Sequence, residues 1–166
     1  MSATGWLLPM RGKMHFAVGA RELVYVLPEE PQIHQVPLAP AAAPGVIVWE
    51  NRVVPIIDVG LLLGGTHEAA DDRTMSLAAM RYVAGIVAYA GDAAADGGVE
   101  LGALIFRKVP EQVEVSDDQA RELPDELVAH AALFTSCFEH VDLGPIPVLN
   151  LAALFSRAHA ALVRAA

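Results

Sequence analysis

Hydrophobic positions in this chain fall in short runs broken by proline, glycine and acidic residues, not at the three-to-four spacing of long amphipathic helices. The clearest case is residues 45–59. Two stretches rich in β-branched and aromatic residues, Gly45–Trp49 and Val53–Val59, flank the polar residues Glu50, Asn51 and Arg52. This is the pattern of two antiparallel strands joined by a tight turn. Neither run alternates cleanly between apolar and polar, which predicts that both faces of at least one strand are covered. Asp58 is placed to cap a short helical turn through Leu61, Leu62 and Leu63, and Gly64 to end it in a left-handed conformation.

The remaining runs read as further short strands. Residues 1–13 show no period and are assigned to a flexible lead. Phe16 and Val18, then the Gly19-Ala20-Arg21 turn, then Leu23–Leu27 predict a first hairpin. Ile33–Val36 is extended, and Pro37, Pro40 and Pro44 forbid a central strand there. Thr66–Thr74 is polar and acidic, a loop or lobe boundary in which Asp71 and Asp72 read as solvated surface.

Within Met75–Ala90 the β-branched and aromatic second half predicts a strand. Gly91–Gly98 forms a long turn, and Val99–Val115 reads as one long strand bent at Pro110 and paired with its predecessor. Asp117–Leu133 is irregular, with a short helix after Pro124. Phe134–Val141 and Pro147–Leu149 form a second hairpin around Asp142-Leu143-Gly144. Asn150 then caps a final helix whose inward face carries Leu151, Leu154, Phe155, Ala158 and Leu162.

Pro55-Ile56-Ile57-Asp58-Val59 with Leu62-Leu63 matches Pro147-Val148-Leu149-Asn150-Leu151 with Leu154-Phe155 at a constant offset of 92 residues. Chance recurrence in an apolar chain is the plain alternative; internal duplication is the favoured reading. The fold class is all-β, with a short helix and a C-terminal helix. Two packed SH3-like barrels of about five strands each would curl their free edges away.

Composition narrows the functions open to such a fold. A chain of 166 residues is one domain's worth. Its net charge of −9 and its 11 scattered basic residues exclude an electrostatic footprint for nucleic acid or anionic lipid. Apolar content is 54% and mean hydropathy +0.41, yet Glu50, Arg52, Asp58 and Arg81 interrupt every stretch before membrane-spanning length. With no secretory signal pattern and one cysteine, Cys137, the expected location is cytoplasmic, without membrane insertion.

Candidate chemistry is sparse. Cys137, His140 and His130 can be drawn as a metal site, but zinc needs three or four ligands and no second pair of matching spacing exists. His34 and His159 read as satisfied core or edge histidines, and Asp58 and Asn150 as a pair of helix caps. Phosphate-loop, dinucleotide and nucleophile-elbow motifs are absent. The expectation is therefore no catalytic residue, no cofactor and no metal.

Pro40-x-x-x-Pro44-Gly45-Val46-Ile47, the following turn, and Val53-Val54-Pro55-Ile56-Ile57-Asp58-Val59 with Leu62-Leu63-Gly64 resemble the signature of CheW-like domains. Leu101–Ile105 leading to Val109 and Val113–Val115 looks like the family's second-lobe strand, and the resemblance spans about residues 14–157. It implies a single domain of two barrel lobes, about 14–66 plus the C-terminal helix 151–163, and about 75–150. It also implies a non-enzymatic adaptor joining a chemoreceptor cytoplasmic tip to the regulatory domain of a CheA-type histidine kinase. A pilus-linked chemosensory pathway is an equal expectation.

This chain departs from the family where Arg-Gly at the hairpin apex becomes Glu50-Asn51, and where an acidic second-lobe residue falls near Arg107. The protein-interaction residues expected here are Val36, Pro37, Gly45, Glu50, Asn51 and Arg52. Two alternatives stay open: a degenerate interaction module without kinase coupling, and a small ligand-binding barrel using Asp58, His34 or Cys137.

Overall fold

Neither of the two sheets is built from one continuous half of the chain. The structure, a computed structural model, describes residues 1–63, 81–91 and 98–157. Gly64 as a cap, the loop Thr66–Thr74, Met75–Met80, the turn interior 92–97, and Ala158, His159 and Leu162 lie outside the described residues.

The strands are β1 (Ser2–Pro9), β2 (His15–Gly19), β3 (Leu23–Val26), β4 (His34–Gln35), β5 (Gly45–Trp49) and β6 (Arg52–Ile57), followed by helix α1 (Val59–Leu63). Then come β7 (Val83–Ala90), β8 (Val99–Phe106), β9 (Glu111–Ser116), β10 (Phe134–His140) and β11 (Gly144–Leu149). A second helix, α2, is described over 151–157. Sheet one has the order β10-β11-β2-β1-β9 and sheet two the order β3-β7-β8-β6-β5-β4. The sixth strand of sheet two is the two-residue β4, beside the proline-rich stretch that keeps it at the edge.

Each sheet curls. Ala120 bridges to Phe138, bringing the segment after β9 back to β10, and Tyr25 of edge strand β3 meets Trp49 of β5 with ring centroids 6.0 Å apart. The β5–β6 hairpin, the β10–β11 hairpin and strand β7 stand where the sequence pattern puts them.

Three expectations are corrected by pairing partners far away in sequence. Residues 2–9 are no flexible lead: β1 lies between β2 and β9, paired from Ser2 to Pro9, and buries Leu7 and Leu8. Strands β2 and β3 are not a hairpin, because β2 is taken by β1 and β11 while β3 pairs with β7. The turn between them, closed by Gly19 N–H donating 2.6 Å to the Glu22 carboxylate, carries the chain from one sheet to the other. Likewise Val99–Val115 is two strands. Residues after Phe106 cross over to sheet one, where β9 pairs with β1. The two sheets therefore interleave along the chain and do not divide near residues 66–75.

The repeated segments occupy equivalent places in the two sheets. Strand β6 pairs in parallel with β8 at Ile56 and Ile57, and β11 in parallel with β2 at Val148. In both, the proline comes just before the parallel pairing begins, where its missing N–H costs no ladder bond. Asp58 Oδ1 accepts from Leu61 N–H at 3.1 Å and Asn150 Oδ1 from Ala153 N–H at 3.2 Å, so each strand runs into a capped helix. Even the backbone partners correspond, with Asp58 N–H donating to Ala42 and Asn150 N–H to Leu133, both at 2.8 Å.

The largest core lies between the sheets and explains why β6 and β8 do not alternate. Ile57, Leu104 and Phe106 face it together with Leu8, Phe16 and Val18 of sheet one, whereas Ile56, Ala103 and Ile105 face a second core inside sheet two. Each helix leaves one sheet and packs on the other. Gly60 of α1 lies against Arg11, where an added Cβ would stand 2.7 Å from the Arg11 Cβ. Phe155 of α2 stacks on Tyr89 of β7, centroids 5.1 Å apart, and covers Gly102 of β8.

Burial, and then the Glu100 carboxylate that accepts its hydroxyl hydrogen bond at 3.2 Å, push the Tyr89 pKa up to about 12. Gly102→Ala would place its Cβ 2.1 Å from Phe155 Cζ, so the helix must shift. The expected loss is about 1–3 kcal/mol in urea unfolding, as for other overpacked cores. An unchanged midpoint would mean that Phe155 does not hold α2 to sheet two.

Candidate functional site

At the tip of the β5–β6 hairpin Glu50 has φ 48° and Asn51 φ 62°, both left-handed, making a two-residue turn closed by the pair Trp49 and Arg52. Two positive φ values give the turn type whose twist matches the flanking strands. Asn51 accepts this conformation readily; Glu50 carries a Cβ penalty of about 1–2 kcal/mol. Arg52 is thus the first residue of β6, not part of the loop. All three side chains are exposed, and none has a polar partner among the described residues.

Behind the apex the outer face of the hairpin is apolar. Val48 and Val53 sit directly opposite each other and are 59% and 69% exposed, and the next outward pair is Val46 with Pro55, both half-buried. Near the rim, Tyr25 is about half exposed beside Trp49. Val48, Val53 and Tyr25 were not singled out by the sequence reading. A clean two-residue period on the outer face would have marked them, but inward valines and isoleucines on the same strands hide it.

The expected site does not assemble into one patch. Val36 is half-buried and Pro37 exposed, at the end of β5 opposite the apex, roughly 15 Å away along five strand residues. Gly45 is buried beneath β4, where a Cβ would stand 2.1 Å from the His34 carbonyl oxygen, so its role is close backbone approach. Next to Pro37, Leu38 is held at φ 63° and is 90% exposed, a second apolar projection on that edge.

The residues weighed for ligand or metal chemistry are scattered. His34 is exposed on edge strand β4. Cys137 is buried beside a 320 Å³ hollow in sheet one lined by Gly5, Val18, Val113 and Val148, and burial raises its thiol pKa. Asp58 is fully buried with both oxygens engaged: Oδ1 caps α1 and Oδ2 takes Arg11 Nε at 2.9 Å. Arg11, assigned to a flexible lead by the sequence pattern, is 1% exposed and ties the β1–β2 turn to α1. Among the described residues no three His, Cys, Asp or Glu side chains gather as a metal site, and no helix is long and apolar enough to cross a membrane.

A family model described as the CheW-like domain matches residues 6–159. Among solved structures the chain is similar to the scaffolding protein TtCheW from Thermoanaerobacter tengcongensis, with a TM-score of 0.64 and 15% identity over 93% of each chain. At that identity the likeness is one of fold. No curated protein matches the chain in sequence.

Proposed function

This chain belongs to the CheW-like domain family, and from that membership we propose that it is a non-catalytic cytoplasmic adaptor of chemotaxis-type signalling. In this reading it couples a chemoreceptor cytoplasmic tip, or another input such as that of a pilus-linked chemosensory pathway, to the regulatory domain of a CheA-type histidine kinase. The observation that carries it is the family match along almost the whole chain. The exposed apolar hairpin face supports it, since Val48 and Val53 gain about 25 cal/mol per Å² once a partner covers them. Titration calorimetry against the organism's own CheA-type kinase and receptor tips is the test. Binding to neither would overturn the reading.

Glu50 favours a second reading, a CheW-like interaction module that has changed partner and no longer couples a kinase. An anion now stands at the apex, where the family has a cation, and an interface there needs a basic complement. Glu50→Arg should weaken binding to the chain's own partner while moving its melting temperature by only about a degree or two, because exposed charge changes rarely exceed 0.5 kcal/mol. Unchanged affinity would shift the docking site to the Val36–Pro37 edge.

A further inference from the structure

We propose that a basic groove at one end of sheet one binds an extended, acidic peptide segment of a partner protein. The groove has a volume of 550 Å³. Its cations come from two separate parts of the chain, Lys13 from the β1–β2 connection and Arg107 and Lys108 from the crossover after β8, with His15 and the β10 residue His140 beside them. Three of the 11 basic residues and two of the six histidines meet there, against two carboxylates, Glu111 and Asp142, in a chain of net charge −9. Such a concentration runs against the charge of the rest of the molecule.

The walls are fixed by the backbone. Arg107 N–H donates to the Pro9 carbonyl at 2.8 Å, pinning the crossover to the end of β1, and Met10 N–H donates to Met14 at 2.8 Å across the turn that presents Lys13. Arg107 also donates from Nη1 to the Arg81 carbonyl at 3.0 Å. Lys13 and Lys108 are exposed, and neither forms an ion pair among the described residues. His140 Nδ1 accepts the Asp142 N–H at 3.2 Å, which leaves the proton on Nε2 as a donor. These groups feel one another. Burial lowers the His15 pKa, a hydrogen bond with the Lys13 backbone opposes this, and His140 and Lys108 lower it further against the pull of Glu111.

The occupant follows from this layout. The same groove is lined by the apolar side chains of Leu7, Met10 and Leu143. A peptide alternating carboxylate and apolar side chains fits both parts. Nucleic acid does not, because a chain of net charge −9 repels a long polyanion, whereas a short segment stays within the Debye length of about 8 Å at physiological salt. The proposal stands on the groove alone and holds whether or not the chain couples a kinase.

The test uses the full chain and a fluorescein-labelled peptide of alternating glutamate and leucine, read by anisotropy. Saturable binding that weakens with salt is expected. Lys13→Glu with Lys108→Glu should weaken it at least about tenfold, and Arg21→Glu, at the opposite end of β2, should leave it within about twofold. Lys13→Gln with Lys108→Gln serves as the milder pair should the reversal perturb folding, and its expected loss is severalfold. Absence of peptide binding, or equal binding by the lysine variants, would overturn the proposal. Displacement by an equal concentration of inorganic phosphate, or tighter binding of a labelled single-stranded oligonucleotide, would also overturn it.

Discussion

Asp58→Ala is expected to unfold the protein at ordinary temperature, whereas Asn150→Ala, at the equivalent place in the repeat, should only weaken it. Both substitutions remove a helix cap, which costs about 1 kcal/mol. Only the first also breaks a buried ion pair. Arg11 is 1% exposed with its Nε 2.9 Å from Asp58 Oδ2, and breaking such a buried pair by removing one partner costs about 3–5 kcal/mol. Together these approach the whole stability of a domain, typically about 5–15 kcal/mol. Asp58→Asn separates the two contributions, because an amide oxygen can still cap α1 but cannot neutralise Arg11. Urea unfolding should therefore rank Asp58→Asn far below Asn150→Ala. Equal midpoints would show that the ion pair contributes no more than a single helix cap.

Ile57→Asp should be nearly as damaging, and Pro55→Asp much less so. Ile57 is 1% exposed in the core between the sheets, among Leu104, Phe106 and Leu154, where a carboxylate is cut off from water. Such burial costs several kcal/mol, whether the group stays charged or takes up a proton. Pro55 lies two residues away on the same face of the strand, where it is only half-buried, opposite Val46. A side chain there can turn to solvent. Differential scanning calorimetry should show a large drop or no transition for Ile57→Asp and a transition within several degrees of wild type for Pro55→Asp. Equal melting temperatures would contradict the burial of Ile57 in the core between the sheets.

The adaptor reading and the groove rest on different surfaces. The hairpin face belongs to sheet two, at β5 and β6, while the groove lies at the end of sheet one around the β1–β2 turn. Two separate surfaces are what a protein joining two others requires, and charge reversal at Lys13 and Lys108 should leave events at Glu50 untouched. Additivity is expected for sites sharing no partner.

Much of the architecture was legible because its signals are local. Gly45–Ile57 declares a hairpin through β-branched runs around a polar turn, and Asp58 and Asn150 declare helix starts within four residues of the bonds they make. The repeat of Pro, two aliphatics and a cap was visible because the same local job is done twice, a strand beginning a parallel pairing and then turning into a helix. The apex residues were equally plain, but their separation from Val36 and Pro37 was not, since only the order of strands places those two groups at opposite ends of β5.

What tertiary structure alone decided was which strands share a sheet and which polar residues are buried. Strand β1 has no pattern distinguishing it from a loose terminus, yet it is ordered because β2 and β9, the latter more than 100 residues away, supply its hydrogen bonds. The sequence neighbours β2 and β3 part, and β8 and β9 part, each pair being divided between the two sheets. Arg11 next to Gly12 and Lys13 reads as surface until α1, through Gly60, brings Asp58 against it. Turns and caps are set by residues a few positions apart, so the sequence states them. Strand pairing and buried charge are settled by contacts between remote segments, and these exist only once the chain has folded.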